Sequence, residues 1–286
     1  FAAMAMAAGG DYPAHTLETQ WRVLLTNQFH DILPGTSIKE VYHVAEGQYK
    51  QMREVLTGLR DNALATLARS FPPDTENQAW LIGNALSWTR ADMVELPVND
   101  FNGAVNESGL PLPAQKTRKG LAVKAAMRSL SVAPIALRKR EEQPLSPFSY
   151  SGKALDTPLY RVEFDKAGRI TSLYDKEVGR EVARAGMRLN AFYTAEDMPV
   201  FWDAWDIDRY YRDTIRFEER LERREVVEDG PLFIVIHSEY KIGRRSTLRQ
   251  DMVFYADNRR IEFRTEVDWR EKHTLLKVGF GVDIHA

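Results

Sequence analysis

At 286 residues the chain can bury roughly two domain cores, and its 39 basic and 41 acidic side chains leave a formal net charge of only −2, which excludes the strongly basic field of a nucleic-acid or anionic-membrane binder. Its 44% hydrophobic and 28% charged content is that of an ordinary soluble globular protein. There is no cysteine, so disulfides and thiolate metal sites are excluded; a transition metal would need imidazole and carboxylate, and there are six histidines to supply the first.

The opening Phe1-Ala-Ala-Met-Ala-Met-Ala-Ala8 is apolar but too short to span a bilayer, and it lacks the basic flank of a signal peptide. Without an initiator Met the chain reads as a piece of a larger protein, and with no signal, membrane or disulfide feature that parent is expected in the cytoplasm. From Leu17 onward, Leu17, Trp21, Leu24, Leu25, Gln28 and Ile32 recur at spacings of three and four. They predict a helix with this stripe toward a bundle core, ended by Pro34-Gly35.

Ser37-Ile-Lys-Glu40 reads as a capping box at the start of a second, long helix. Its apolar rhythm runs from Ile38 through Val41, Ala45, Met52, Leu56, Ala63 and Leu67 to about Arg69. Two helices cannot cover each other's stripes, so a third is expected, partly in residues 1–12 or in upstream chain.

At Pro72-Pro73 the period changes from helical to alternating. Residues 79–82, 93–96, 121–125, 160–164, 233–237, 252–255 and 261–267 read as strands, and Lys166-Ala-Gly168 as a hairpin turn leading into a strand at 170–174. The polar, breaker-rich stretch 138–153 reads as a linker, and 275–284 as a further strand. The fold class expected is multidomain α + β: a three-helix type of bundle over 1–71, a small β-sandwich over 72–140, and the start of a larger sandwich over 141–286.

The most unusual local string is Asn27-Gln-Phe-His-Asp-Ile-Leu-Pro-Gly-Thr-Ser37. If the first helix continued through it, His30 would lie nine residues beyond Trp21, about 180° around, facing away from the core stripe. Spacing alone also fits a surface histidine beside an aspartate near a helix end. One imidazole is not a zinc site, which needs three or four ligands.

From Gln28 to Ile38 this string resembles glycoside hydrolase family 38, the retaining α-mannosidases. The likeness continues in order through Asn84-Ala-Leu-Ser-Trp-Thr-Arg90, Gly168-Arg-Ile-Thr-Ser-Leu-Tyr-Asp-Lys176, Trp202-Asp-Ala-Trp-Asp-Ile-Asp208, and Val267-Asp-Trp-Arg-Glu271 with Leu275-Leu-Lys-Val278. It covers nearly the whole chain. The resemblance implies a helical middle domain followed by β-sandwiches, the larger similar to a galactose-mutarotase supersandwich. It also implies one zinc ion held between this helical domain and an N-terminal α/β catalytic domain that supplies a His-x-Asp pair and a further nucleophilic Asp. No His-x-Asp pair occurs here. Carried over, His30 is a zinc ligand and Asp31 a carboxylate that binds mannose hydroxyls, without being the nucleophile. The partners implied are the α-mannoside substrate and the absent catalytic domain; nucleic acid and membrane are not among them. The fragment alone is expected to be inactive.

Trp202-Asp203-Ala-Trp205-Asp206-Ile-Asp208 admits two readings. Aromatic platforms beside carboxylates suit sugar stacking and a carboxylate pair, which makes Asp203 and Asp206 site candidates. The commoner outcome for such a loop is structural, with packed tryptophans and aspartates capping turns. His15, His43, His237 and His273 have no partners at ligand spacing, and Arg138-Lys-Arg140 and Arg244-Arg245 read as solvated basic faces. The competing functional class is a carbohydrate-binding or interaction module that keeps the residues without catalysis.

Overall fold

The computed structural model describes residues 1–72, 79–141, 144–202 and 205–284. It is α + β: a few helices, then antiparallel sheets. By internal contacts the chain forms two compact units, one built from Phe1–Leu96, Asp100–Leu112 and Ala122–Lys139, the other from Pro97–Asn99, Pro113–Leu121 and Arg140–Ala286. No helix among the described residues is long and apolar enough to cross a membrane.

In the first unit, α1 (Ala2–Ala7), α2 (Ala14–Asn27) and α3 (Lys39–Ala68) are the three helices. The apolar rhythm of 38–69 is realised in α3 almost to the residue, and the third helix does come from the N-terminal stretch. Ala5 of α1 is buried with Ala63 and Leu67 of α3, with Phe1, Met4 and Val132 packed against them. The Phe1 ring lies so close to Gly83 that a Cβ there would sit 2.7 Å from it, so the strand Ala79–Asn84 needs a glycine at that point.

Two expectations about this unit are corrected. The inward side of α2 consists of Leu17, Gln20, Val23, Leu24 and Asn27, while Trp21 and Leu25 are each 59% exposed. A partly polar stripe was chosen because Asn27, 2% exposed, donates from Nδ2 to the Val23 carbonyl (3.1 Å) and to Gln48 Oε1 on α3 (2.8 Å). The hydrogen bonds offset the cost of taking the amide out of water, so it can stand on the inward face. The capping box also does not form. The cap residue of α3 is Ile38 with no side-chain hydrogen bond, because the Ser37 hydroxyl turns back to the Asp31 carbonyl instead.

The β-part of this unit contains the antiparallel sheet Ala79–Asn84, Ser131–Arg138, Gly103–Asn106, Pro111–Leu112, in that spatial order. Asn84 ties it down, donating from Nδ2 to the carbonyls of Trp88 (2.9 Å) and Arg128 (2.8 Å).

The second unit is a sandwich of two antiparallel sheets. One has the order Arg216–Phe217, Leu189–Glu196, Ile170–Asp175, Tyr160–Phe164, Ala154–Asp156, Ser149–Tyr150, with Thr274–Phe280 also pairing with Leu189–Glu196. The other is a meander of Leu221–Asp229, Phe233–Ile242, Ser246–Tyr255 and Ile261–Asp268. Val162, Ile170 and Leu173 from the first sheet meet Ile236, Met252 and Phe254 from the second in one buried cluster. The expected hairpin at 166–168 joins Tyr160–Phe164 to Ile170–Asp175, with Gly168 at φ +77°.

Two buried amides in this unit are paired over long sequence distances. Gln115 accepts from the N–H groups of Leu232 (2.9 Å) and Phe233 (3.0 Å) and donates to the Phe233 carbonyl (2.9 Å). Asn190, at φ +57°, exchanges amide hydrogen bonds with Gln250, which also donates to Thr265.

Burial alone would push the carboxyls of Asp175 and Glu181 up. Backbone N–H groups of Val178 and Glu177 with the Arg259 guanidinium hold Asp175 below its usual range, and Ser172 with the N–H groups of Leu173 and Ala183 does the same for Glu181.

Two outcomes follow. Ile236, with no exposed surface, leaves a cavity when cut to alanine, so Ile236→Ala should cost about 2–5 kcal/mol in denaturant unfolding; a loss under about 1 kcal/mol would contradict the sandwich core. Depressed folded pKa values give stability that is complete above the unfolded values of about 4 and is lost as pH falls through the lower folded ones. Glu181→Gln should therefore flatten the acid limb of the stability–pH curve; an unchanged limb would show that Glu181 is not held ionised by the fold.

Candidate functional site

Helix α2 stops at Asn27, seven residues before Pro34. The expectation of one continuous helix carrying His30 is thus corrected: residues 28–35 are turns. Phe29 N–H bonds the Thr26 carbonyl (3.2 Å), Ile32 N–H the Phe29 carbonyl (2.9 Å), and Gly35 N–H the Ile32 carbonyl (3.2 Å). These three-residue closures tighten the chain, and Gly35 at φ +89° lets it reverse toward α3. His30 faces outward nonetheless, with its side chain 76% exposed and its ring 4.2 Å from that of Phe29. Outward direction no longer separates it from Trp21, since both are exposed.

Asp31 occupies a different environment although it is the next residue. Its carbonyl accepts from Ser37 Oγ (2.8 Å), Thr36 Oγ1 (3.3 Å) and the Tyr42 hydroxyl (3.3 Å), which ties the turn to the first turns of α3. Its side chain offers Oδ2 to His30 Nε2 at 3.7 Å, while Oδ1 is buried with no hydrogen-bond partner. The side chain as a whole is 37% exposed, so the carboxylate is enclosed on one side only. A carboxylate so placed is the kind of group that accepts from a hydroxyl donor or meets a cation on its open side.

Imidazole and carboxylate are both zinc donors, so His30 and Asp31 fit such an ion chemically. Two donors are not a site. Among the described residues no group of three or more His, Cys, Asp or Glu side chains is arranged to hold a metal.

His237 has closer carboxylates but a closed network. Its Nδ1 lies 2.6 Å from Asp251 and its Nε2 3.3 Å from Glu239, while Arg118 bonds Asp251 (2.8 Å) and Glu228 (3.0 Å). Burial would raise the Asp251 carboxyl, but the His237 and Arg118 hydrogen bonds hold it below its usual range. Each charge is met by another protein charge, so the cluster is structural. Sequence spacing could not find it, because its members lie on four different segments.

Of the Trp202–Asp208 loop, Asp203 lies outside the described residues. Asp206 is exposed, and its N–H bonds the Trp202 carbonyl at 2.8 Å. The expectation that the tryptophans pack is not met: Trp202 is 75% and Trp205 62% exposed. Trp202 sits at φ +59°, a strained position for a bulky residue. The part of the structural reading that holds is turn capping, since Asp208 Oδ2 accepts the Val200 N–H at 3.0 Å.

Residues 1–67 match the family described as alpha mannosidase middle domain, and residues 155–286 the glycosyl hydrolases family 38 C-terminal domain. The chain is 30% identical over 293 residues to alpha-mannosidase 2C1 of Homo sapiens, covering 99% of this chain and 26% of that protein. It is 25% identical over 324 residues to alpha-mannosidase G of Dictyostelium discoideum, covering 96% and 29%. It therefore spans about a quarter of the length of these relatives. Its fold is similar to the crystal structure of an alpha-mannosidase from Enterococcus faecalis V583, with TM-score 0.75 at 15% identity over 98% of this chain and 40% of that one.

Proposed function

Since this chain belongs to glycosyl hydrolase family 38, as an alpha-mannosidase middle domain followed by the family's C-terminal domain, we propose that it is the part of a zinc-dependent, retaining α-mannosidase that supplies one metal ligand, His30, and one sugar-binding carboxylate, Asp31. The observation that carries this reading is the pairing of an exposed imidazole with a buried, unpartnered carboxylate oxygen on a turn pinned at the adjacent carbonyl.

In this reading His30 presents a ring nitrogen to the ion, and the Asp31 carboxylate, whose side chain is 37% exposed, accepts a hydroxyl of the terminal mannose. The ion, when bound, supplies Lewis-acid stabilisation and a template for sugar hydroxyls. Retaining hydrolysis uses two carboxyl groups about 5–5.5 Å apart, one as nucleophile and one as acid and base. Asp31 is assigned neither role: its part is to bind and orient, and the remaining ligands, the nucleophile and the acid belong to other regions of the parent. The expected substrate is an α-mannoside glycan.

A second reading, a carbohydrate-binding module without catalysis, is favoured by one observation, the exposed indoles of Trp202 and Trp205 with Asp206 beside them. Indole faces stack on sugar rings whether or not a metal is present. Asp203 and Asp206 are site candidates only under this sugar-contacting role.

In the full-length protein, His30→Ala should lower zinc content and α-mannosidase activity together. Asp31→Asn should retain zinc and lose turnover by about 10²-fold or more, as expected for a lost hydrogen bond to reacting substrate. Metal analysis alongside the assay reads both. Equal zinc content in wild type and His30→Ala would overturn the ligand assignment, and metal-independent glycan binding, lost in Trp205→Ala but unaffected by His30→Ala, would favour the second reading.

A further inference from the structure

Taking the proposed roles of His30 and Asp31 as its basis, the geometry points to Ser37 and Tyr42 as positioning residues of the site. They close a hydrogen-bonded ring through the Asp31 carbonyl that fixes how the imidazole and the carboxylate are presented.

Three bonds make the ring. Ser37 Oγ donates to the Asp31 carbonyl (2.8 Å), the Ser37 backbone N–H donates to the Tyr42 hydroxyl (2.9 Å), and that hydroxyl donates its own proton back to the Asp31 carbonyl (3.3 Å). Tyr42 thus accepts and donates at once. Phenylalanine in its place could do neither. Its hydroxyl lies 3.5 Å from the Ile32 carbonyl as well, so it faces the peptide groups on both sides of Ile32.

The ring has a mechanical consequence. Residues 28–35 have no helix or strand of their own to hold them, whereas Tyr42 stands in the first turns of a 30-residue helix. The turn therefore takes its position from α3. Fixing the peptide between Asp31 and Ile32 fixes the backbone from which the Asp31 side chain projects. His30, one peptide earlier, has a largely exposed side chain, so its placement depends on the backbone rather than on side-chain packing. The use of Ser37 in this ring also accounts for its failure to cap α3.

The test uses the full-length protein with Tyr42→Phe, Ser37→Ala and Ser37→Thr. Zinc dissociation constants are measured by chelator competition, thermal unfolding is followed on the metal-free protein, and kcat and KM are read with an aryl α-mannoside. Tyr42→Phe and Ser37→Ala should weaken zinc binding by about 10-fold or more, as the loss of groups that orient a metal ligand generally does, with metal-free unfolding near that of wild type. Ser37→Thr keeps the hydroxyl and should restore binding. Zinc affinity unchanged in Tyr42→Phe and Ser37→Ala would overturn the inference, as would equal weakening in Ser37→Ala and Ser37→Thr. Should Tyr42→Phe fail to fold, the two Ser37 variants decide alone. His30→Ala separates the two levels: if it leaves zinc bound, the proposed function fails; if it removes zinc while the Ser37 and Tyr42 variants do not, only the positioning role fails.

Discussion

The carbonyl of Asp31 is the point on which the turn between α2 and α3 depends. A chain that leaves one helix and enters another without regular structure between them must still satisfy its backbone polar groups. Three hydroxyls, from Thr36, Ser37 and Tyr42, converge on this one oxygen. On the other side of the turn, the buried Asn27 amide joins the end of α2 to Gln48 on α3. The connection is thus held at both ends by hydrogen bonds, and two of its apolar side chains are left outside: Phe29 is 53% and Leu33 69% exposed. That division of labour makes a turn with a defined backbone and an accessible imidazole.

The same division explains what was legible in the sequence. A long apolar period is a local signal, and α3 was readable from it because Ala45, Met52, Ala63 and Leu67, all on that period, are the residues it buries. Helix α2 broke the rule because its inward face includes Gln20 and Asn27, while Trp21 and Leu25 face out. Hydropathy ranks an indole above an amide, so it oriented the helix wrongly. Ser37 shows the other weakness: its hydroxyl could serve a helix start or a carbonyl six residues back, and Tyr42, which decides between them, is outside the local motif. In the β-part, alternation marked strands such as Tyr160–Phe164 and Ile261–Asp268. The order of strands within each sheet depends on pairings that no local pattern encodes. Gln115 bonding Phe233 and Asn190 bonding Gln250 are contacts of this kind. Of the site, the residue types were legible through a resemblance in an eleven-residue string; the unpartnered state of Asp31 Oδ1 and the ring at the Asp31 carbonyl were not.

The arrangement at Asp31 works against the stability of the helical unit. Oδ1 is enclosed without a protein donor although the side chain as a whole is 37% exposed, and a missing hydrogen bond of this kind is a feature that folding alone does not favour. A sequence optimised only for folding would remove it, for example by supplying an N–H donor. Here three donors approach the same residue, yet all are spent on its carbonyl, and Oδ1 is left without one. Saturating the backbone oxygen while sparing the carboxylate oxygen holds the group in place without using up its capacity to accept. In the reading proposed for this chain, the Asp31 carboxylate held in this way meets a substrate hydroxyl beside the ion His30 binds.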